Sequence, residues 1–444
     1  MIYSLSSIIS FYVGYQIIAL LSNKNKSIST VDIFLSIGLG FLIISQTIFY
    51  SILLFDEIKP FYILLINIVA VILLFMLRIH LNKIKIAKDS SIYKDLIRLT
   101  VVFYPLIMLS IMLALCRPFG DWDAWSFWNL RANFLLRSGH HWKNIFILTE
   151  QSKHPWLLSL SVLWGWIVAG KENNMTPIVT SILFLTSTIG LLVCSLTEQL
   201  KRNISFLAGI FLLSIPFFIT HSTSQYSDIV AGYYLLATLV LIKKTYETKS
   251  RKYSLLAGLF IGALSFTKDE GVALAFIITV ILVLSNMNKC AKGEKIPIST
   301  IFFGTLLIIP STVLVKFILP FKFFGENLPI EKSISIAHVL DVNRCAILGK
   351  FILNNVILNP AWGGFWIVCI IAIATNTKQI NTTKDKIFLS TIVIFISVIL
   401  FRFLTTAEPL IWHLNVALNR VLFILVPTLT YFIFYLSFKN KEII

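Results

Sequence analysis

Between Gly120 and Pro155 the chain reads GDWDAWSFWNLRANFLLRSGHHWKNIFILTEQSKHP, a polar stretch in which Asp121 and Asp123 sit among Trp122, Trp125, Trp128 and Trp142. A carboxylate held beside a low-dielectric surface can deprotonate an attacking hydroxyl or ligate a metal. An aspartate here also suits a helix N-cap. Asp123, inside WDAW, is the first choice for a base, because aromatic flanks make an idle charge costly. His140, His141 and His154 follow in the same segment. The adjacent pair lacks metal-ligand spacing, and His154 precedes Pro155 where the chain turns back, so His154 is expected to meet substrate rather than metal.

Three further groups carry chemistry. Tyr226 and Asp228 occur in HSTSQYSDIVAGYYLLATLVL, where the acid could cap a helix, act in catalysis or hold a metal. Lys268, Asp269 and Glu270 occur in SFTKDEG, three charges between two apolar runs with almost no connecting loop. Charges at such depth usually face a cavity, so Lys268 is expected to bind a phosphate, with Asp269 or Glu270 orienting it. Trp412, His413 and Arg420, in IWHLNVALNR, stand at helical spacing and could close a site from the C-terminal side.

The elements that must position these groups are membrane helices. Hydrophobic residues make up 57% of the 444-residue chain and charged ones 13%, a balance that excludes a water-soluble domain. Apolar runs long enough to cross about 30 Å of hydrocarbon recur from end to end, giving an all-α polytopic protein with about thirteen spans. The first run, 2–22, lacks a basic leader and is expected to stay as a span. The segment 156–170 is short and carries Trp156, Trp164 and Trp166, which reads as a re-entrant or interfacial helix. With that assignment the clusters Lys83/Lys85/Lys88/Lys94, Lys201/Arg202, Lys243 to Lys252 and Lys289/Lys292/Lys295 all fall on the cytoplasmic side. The formal charge of +17 therefore records orientation, not nucleic-acid binding. The five cysteines form no CxxC pair, so neither a zinc site nor a disulfide framework is indicated. The candidate groups above share the opposite, extracytoplasmic side, with loops 118–174, 319–361 and 405–419; the loop 319–361 is expected to cover the site.

In this order the motifs resemble the GT-C superfamily of polytopic glycosyltransferases that use polyprenyl-phosphate-linked sugars, the group of protein O-mannosyltransferases and the lipid A aminoarabinose transferase. The resemblance runs from about Arg117 to Arg420: an acidic first external loop (GDWDAWSFWNLRA), a turn KHPWLLSL similar to HPPL, a span opening on an acid (YSDIVAGYYLLATLVL), GLFIGALSFTKDEG, and WHLNVALNR. Trp156 replaces the second proline of HPPL, and three extra spans precede the family's usual first helix, which divides the chain into 1–98, additional helices with a basic loop, and 99–444, a GT-C-like catalytic region.

The resemblance implies a GT-C-like bundle with interfacial helices in its first external loop. It implies an enzyme that moves a sugar, with inversion, from a polyprenyl-phosphate donor to a hydroxyl of a lipid, glycan or protein. The base is then Asp123 or Asp121, and Asp228 is the second acid. Lys268, Arg131 and Arg420 meet the donor phosphate, Asp269 and Glu270 support it or hold a metal, and His154, Tyr226, Trp412 and His413 line the substrate. A divalent ion, Mg²⁺ or Mn²⁺, suits the carboxylates, although a metal-free base fits equally. Such an enzyme is expected in a bacterial inner membrane, acting on its extracytoplasmic face among membrane lipids. Competing readings are an O-antigen-type polymerase or ligase, which would need an external Arg or His instead of Asp123, and a lipid or solute transporter. A transporter would show internal repeats and broken helices with acids at mid-membrane, and the sequence has no such repeat.

Overall fold

The structure, a computed structural model, describes residues 2–22, 28–81, 90–148, 153–287, 296–324 and 336–439, and every regular element among them is helical. Helices α1 (Ile2–Leu21), α2 (Thr30–Phe55), α3 (Pro60–His80) and α4 (Ser90–Cys116) precede the short α5 (Asn129–Arg137) and α6 (Ile145–Leu148). The middle of the chain forms α7 (Leu157–Ala169), α8 (Met175–Thr197), α9 (Arg202–Leu213), α10 (Pro216–Ser222), α11 (Ser227–Thr248), α12 (Arg251–Ser265) and α13 (Asp269–Met287). The last third holds α14 (Ile298–Leu306), α15 (Ile309–Val313), α16 (Leu319–Phe324), α17 (Val342–Ile352), α18 (Phe365–Thr375), α19 (Thr383–Thr405), α20 (Leu410–His413), α21 (Asn419–Phe423) and α22 (Val426–Phe438). The basic clusters Lys83/Lys85/Lys88 and Lys289/Lys292/Lys295, and residues 325–335 of the long loop, lie outside the described residues.

The all-α polytopic class read from the sequence holds. Eight helices are long and apolar enough to cross a membrane, and eleven if each of three bent pairs is one span. The bends, 74° between α9 and α10, 43° after α14 and 47° before α22, share a cause. Pro216, Pro310 and Pro427 each open the following helix, where a residue without an N–H cannot continue the preceding ladder. The stretches 253–267 and 362–376 appear as α12 and α18, helices of 15 and 11 residues.

Helix α7 is buried all round. Trp156, Trp164 and Trp166 face protein, and their neighbours explain why. Trp164 Nε1 donates to the Ser6 carbonyl of α1 at 3.1 Å, and Trp166 Nε1 to the Asn173 carbonyl at 2.8 Å. The Trp156 ring stacks on Phe146. Thirteen residues rise only about 20 Å, so α7 is too short to cross the hydrocarbon and is held by α1, α2, α5 and α8 instead. The tryptophans of the first loop divide similarly: Trp122 and Trp125 are exposed, Trp128 and Trp142 buried.

Close helix contact depends on a few glycines. A Cβ on Gly40 of α2 would stand 1.6 Å from the Ser10 carbonyl of α1, and one on Gly258 of α12 would stand 2.0 Å from the Ile301 carbonyl of α14, the small-residue contacts that let membrane helices approach. Helix α11 is buried from Ser227 to Thr245 and pinned to α2 by two phenols. Tyr233 and Tyr234 hydroxyls donate to the carbonyls of Phe34 and Gly38, each at 2.7 Å.

Charge separates the two ends of the bundle. At one end Lys252 pairs with Asp32 and Lys439 with Asp385, while Lys244 meets Glu198 and Lys384 meets Glu247. At the other end lie the first loop, the α10–α11 link and the α12–α13 junction. Cys116, Cys194, Cys345 and Cys369 are free thiols; Cys290 lies outside the described residues.

Gly40→Ala is expected to lower stability by about 1–3 kcal/mol through overpacking. Gly349→Ala, where a Cβ meets nothing within 4 Å, should leave it unchanged; thermal unfolding of both variants in detergent measures the difference.

Candidate active site

The site is built around a buried acid. Asp228 stands in the first turn of α11 with 1% of its side chain exposed, where the helix dipole favours negative charge. The dipole alone could not hold a carboxylate there. Lys268 donates to Oδ1, His221 Nε2 lies 2.9 Å from Oδ2, and Arg420 Nε donates to Oδ2 at 3.3 Å. Lys268 also pairs with Glu270 at 3.2 Å. Burial opposes the lysine's charge, but the Asp228 and Glu270 carboxylates outweigh it and hold the pKa above its ordinary value. Ser227 Oγ donates to the Thr267 carbonyl at 3.0 Å, so the start of α11 and the α12–α13 junction are fixed to one another.

Arg420 joins Asp228 to the first loop. Its Nη2 lies 2.7 Å from Asp123 Oδ2, and its guanidinium rests over the Tyr226 ring at 4.5 Å. The Asp123 backbone N–H donates to the Tyr226 hydroxyl at 3.0 Å. Burial pushes that phenol up to about 12, so it remains a neutral hydroxyl at physiological pH. Asp123 keeps 17% of its side chain exposed, against 1% for Asp228. It is the carboxylate of this pair that a solute can reach.

Asp121 is engaged differently. Arg117 Nη1 donates to both its oxygens, at 3.1 and 2.9 Å, while Nη2 reaches the Thr220 carbonyl and Thr223 Oγ1. The Asp121 N–H donates to the Ser224 carbonyl at 3.2 Å. Gly120 permits this approach: its φ is +72°, and a Cβ would stand 2.6 Å from that carbonyl. Asp121 thus fastens the loop to the α10–α11 link.

A second cluster adjoins the first through the neighbouring residues Asp269 and Glu270. Asp269 lies 3.2 Å from His154 Nδ1 and 2.7 Å from Lys316 Nζ. Arg131 packs inside the loop beneath the rings of Phe127 and Trp128, at 4.4 and 5.6 Å, and donates to the Pro155 carbonyl at 3.2 Å. Burial draws its pKa down to about 9.

The structure therefore brings together Asp123, Tyr226, Asp228, Lys268, Glu270 and Arg420. It sets Asp121 on Arg117, Asp269 between His154 and Lys316, and Arg131 within the loop. A π-helical turn, Leu414–Leu418, separates His413 from Arg420, and its wider winding breaks the helical phase; His413 Nδ1 meets Thr406 Oγ1 at 2.9 Å and Trp412 is exposed. The sequence reading missed His221, Arg117 and Lys316. Similar π-turns directly follow Asp123, at Ala124–Trp128, and contain Lys316, at Leu314–Ile318, a recurrent feature of functional sites. Of the carboxylates the sequence offers to Mg²⁺ or Mn²⁺, Asp123 and Asp228 converge on the Arg420 guanidinium, Asp269 pairs with Lys316 and Glu270 with Lys268. Among the described residues no group of three or more His, Cys, Asp or Glu could hold a metal ion.

Asp228→Ala, which strands Lys268 and Arg420, is expected to destabilise by about 3–5 kcal/mol. Asp123→Asn, partly exposed and with one charged partner, is expected to lose about 1 kcal/mol or less. Thermal unfolding of the two variants in the same detergent separates these values.

Residues 142–314 match the profile of the dolichyl-phosphate-mannose-protein mannosyltransferase family. The matched stretch contains His154, Tyr226, Asp228, Lys268, Asp269 and Glu270, whereas Asp121, Asp123, Arg131, Trp412, His413 and Arg420 lie beyond it. Among curated proteins and among solved structures, nothing matches the chain. Over residues 142–314 this membrane protein carries a domain of the dolichyl-phosphate-mannose-protein mannosyltransferase family, within the GT-C superfamily of glycosyltransferases that use lipid-linked sugars.

Proposed function

We propose that the cluster joining Asp123, Arg420 and Asp228 is the reaction centre of an inverting transferase. It would move a sugar from a polyprenyl-phosphate donor to a hydroxyl on a lipid, glycan or protein. The observation that carries this reading is the division of labour between the two acids. Asp228 is buried and compensated by Lys268, His221 and Arg420, whereas Asp123 is reachable and positioned by Arg420 and Tyr226.

In this reading the accessible Asp123 oxygen takes the proton of the acceptor hydroxyl. The acceptor oxygen attacks the anomeric carbon from the face opposite the phosphate. The bond from that carbon to the phosphate oxygen breaks, and polyprenyl phosphate leaves with the bonding pair. The charge that grows on the leaving oxygen needs a cation that binds it more strongly in the transition state than before. Arg420 suits this role better than Lys268. Its side chain is 21% exposed and, among the described residues, only Nε and Nη2 meet a carboxylate, which leaves Nη1 for the phosphate, whereas Lys268 is 6% exposed and occupied by Asp228 and Glu270. Lys316, 20% exposed beside Asp269, supplies a further cation at the same rim.

The donor's lipid tail accounts for a site at the end of a helix bundle, where the phosphate can stay in the headgroup zone. The paired lysines at the opposite end support an extracytoplasmic orientation for the site by the positive-inside rule, and the membrane in this reading is a bacterial inner membrane. The match to a transferase family supports transfer over transport.

Sugar transfer from a mixed pool of labelled polyprenyl-phosphate sugars to a host membrane extract tests this reading in nanodiscs. Asp123→Asn is expected to reduce transfer by about 10²- to 10⁴-fold, while Asp121→Asn stays within about tenfold of the wild type because its role is to anchor the loop. Equal loss in both variants, or full activity of Asp123→Asn, would remove Asp123 from the base role.

A further inference from the structure

At the end of the bundle opposite Asp123, a cleft of about 900 Å³ opens between the last turn of α11, α13 and the start of α19. It is separate from the proposed reaction centre. Asp228 and Tyr246 occupy the first and last turns of α11, eighteen residues and about 27 Å apart along the helix.

The charges at this end are mostly neutralised in pairs: Lys244 with Glu198, Lys252 with Asp32, Lys439 with Asp385. Lys384, on the cleft wall, likewise meets Glu247. Two lysines of the cleft are different. Lys249 and Lys386 are exposed and, among the described residues, pair with no acid; the Lys249 ammonium rests only over the Tyr246 ring, 5.6 Å away. Beneath them, apart from Ser285 and Ser390, the walls turn apolar. Ile281 and Leu284 of α13 face Ile387 and Ile394 of α19, and Leu284 and Ile394 are 56% and 41% exposed. Ile394 lies eight residues beyond Lys386, about 12 Å deeper along the span.

A cationic mouth above an apolar groove between two spans matches one ligand chemistry, a phosphate group carrying acyl chains. A free anion would gain nothing from the groove, and a zwitterionic lipid would bring a second positive charge to the lysines. We propose that this cleft holds an anionic phospholipid, with its phosphate between Lys249 and Lys386 and an acyl chain along Leu284 and Ile394. Basic pockets between membrane helices bind such headgroups. The bound lipid would brace α13 against α19 and α11 from the side away from the chemistry.

Native mass spectrometry of the full chain with phosphatidylglycerol or phosphatidylcholine tests the assignment. Wild type is expected to retain phosphatidylglycerol over phosphatidylcholine, and Lys249→Gln/Lys386→Gln to lose that retention by about tenfold or more. Both substitutions are at exposed, unpaired side chains, and matching thermal unfolding without added lipid checks that the variant is folded. Lys171→Gln, at an exposed lysine of the other end, should change nothing. Equal retention by the double variant, equal retention of the two lipids by wild type, an equal loss in Lys171→Gln, or displacement of phosphatidylglycerol by millimolar inorganic phosphate would each overturn the proposal.

Discussion

A carboxylate buried at the start of a central membrane helix sets the terms for this molecule. Asp228 is in a region where an isolated charge would cost far more than a protein's total stability. Its charge is tolerable only because Lys268, His221 and Arg420 reach it from three other parts of the chain. That requirement fixes the α12–α13 junction, the α10–α11 link and the C-terminal bent helix against one another. The same Arg420 extends to Asp123, so the geometry of the reachable acid follows from the compensation of the buried one.

The first loop, polar in composition, is tied to the helices by side-chain bonds along its described length. Arg117 closes on Asp121, Thr220 and Thr223, and Asn129 donates to Gln225 at 3.0 Å. At its far side Lys143 and Trp142 donate to Asp56, and these bonds hold that carboxyl below the ordinary carboxylate range. These bonds stitch the loop to α2 and to the α10–α11 link, with Trp122 and Trp125 exposed beside the partly exposed Asp123. A donor anchored in the bilayer would approach this rim sideways, and the hydrophobic rings beside the acid suit an environment that is half lipid and half water.

Much of this was legible in the sequence. Long apolar runs give the helices directly, and charges confined to span ends identify Asp228, Lys268 and Asp123, because an unneeded charge at that depth is costly. What joins them was harder to read. Asp123 and Arg420 are separated by most of the chain, and no local pattern encodes their ion pair. The π-turn between His413 and Arg420 cannot be read from periodicity. Lys316 is hidden in an apolar run, where a single lysine reads as a snorkelling side chain. The tryptophans of α7 suggested an interface because their type is common there, but burial is the other stable outcome for tryptophan, and the indole N–H groups of Trp164 and Trp166 find carbonyl partners inside the protein. Family similarity covers the middle of the chain alone, and both ends of the Asp123–Arg420 pair fall outside it.

The central claim, that Asp123 is the working acid and Arg420 the phosphate partner, is tested most directly by a structure with a phosphonate analogue of a polyprenyl-phosphate sugar bound. The account requires the anomeric carbon to face Asp123 with room for one hydroxyl between them, and the phosphonate to contact Arg420 within hydrogen-bond distance. A donor seated with its anomeric carbon toward Asp121, or with its phosphonate on Arg131 and away from Arg420, would contradict it.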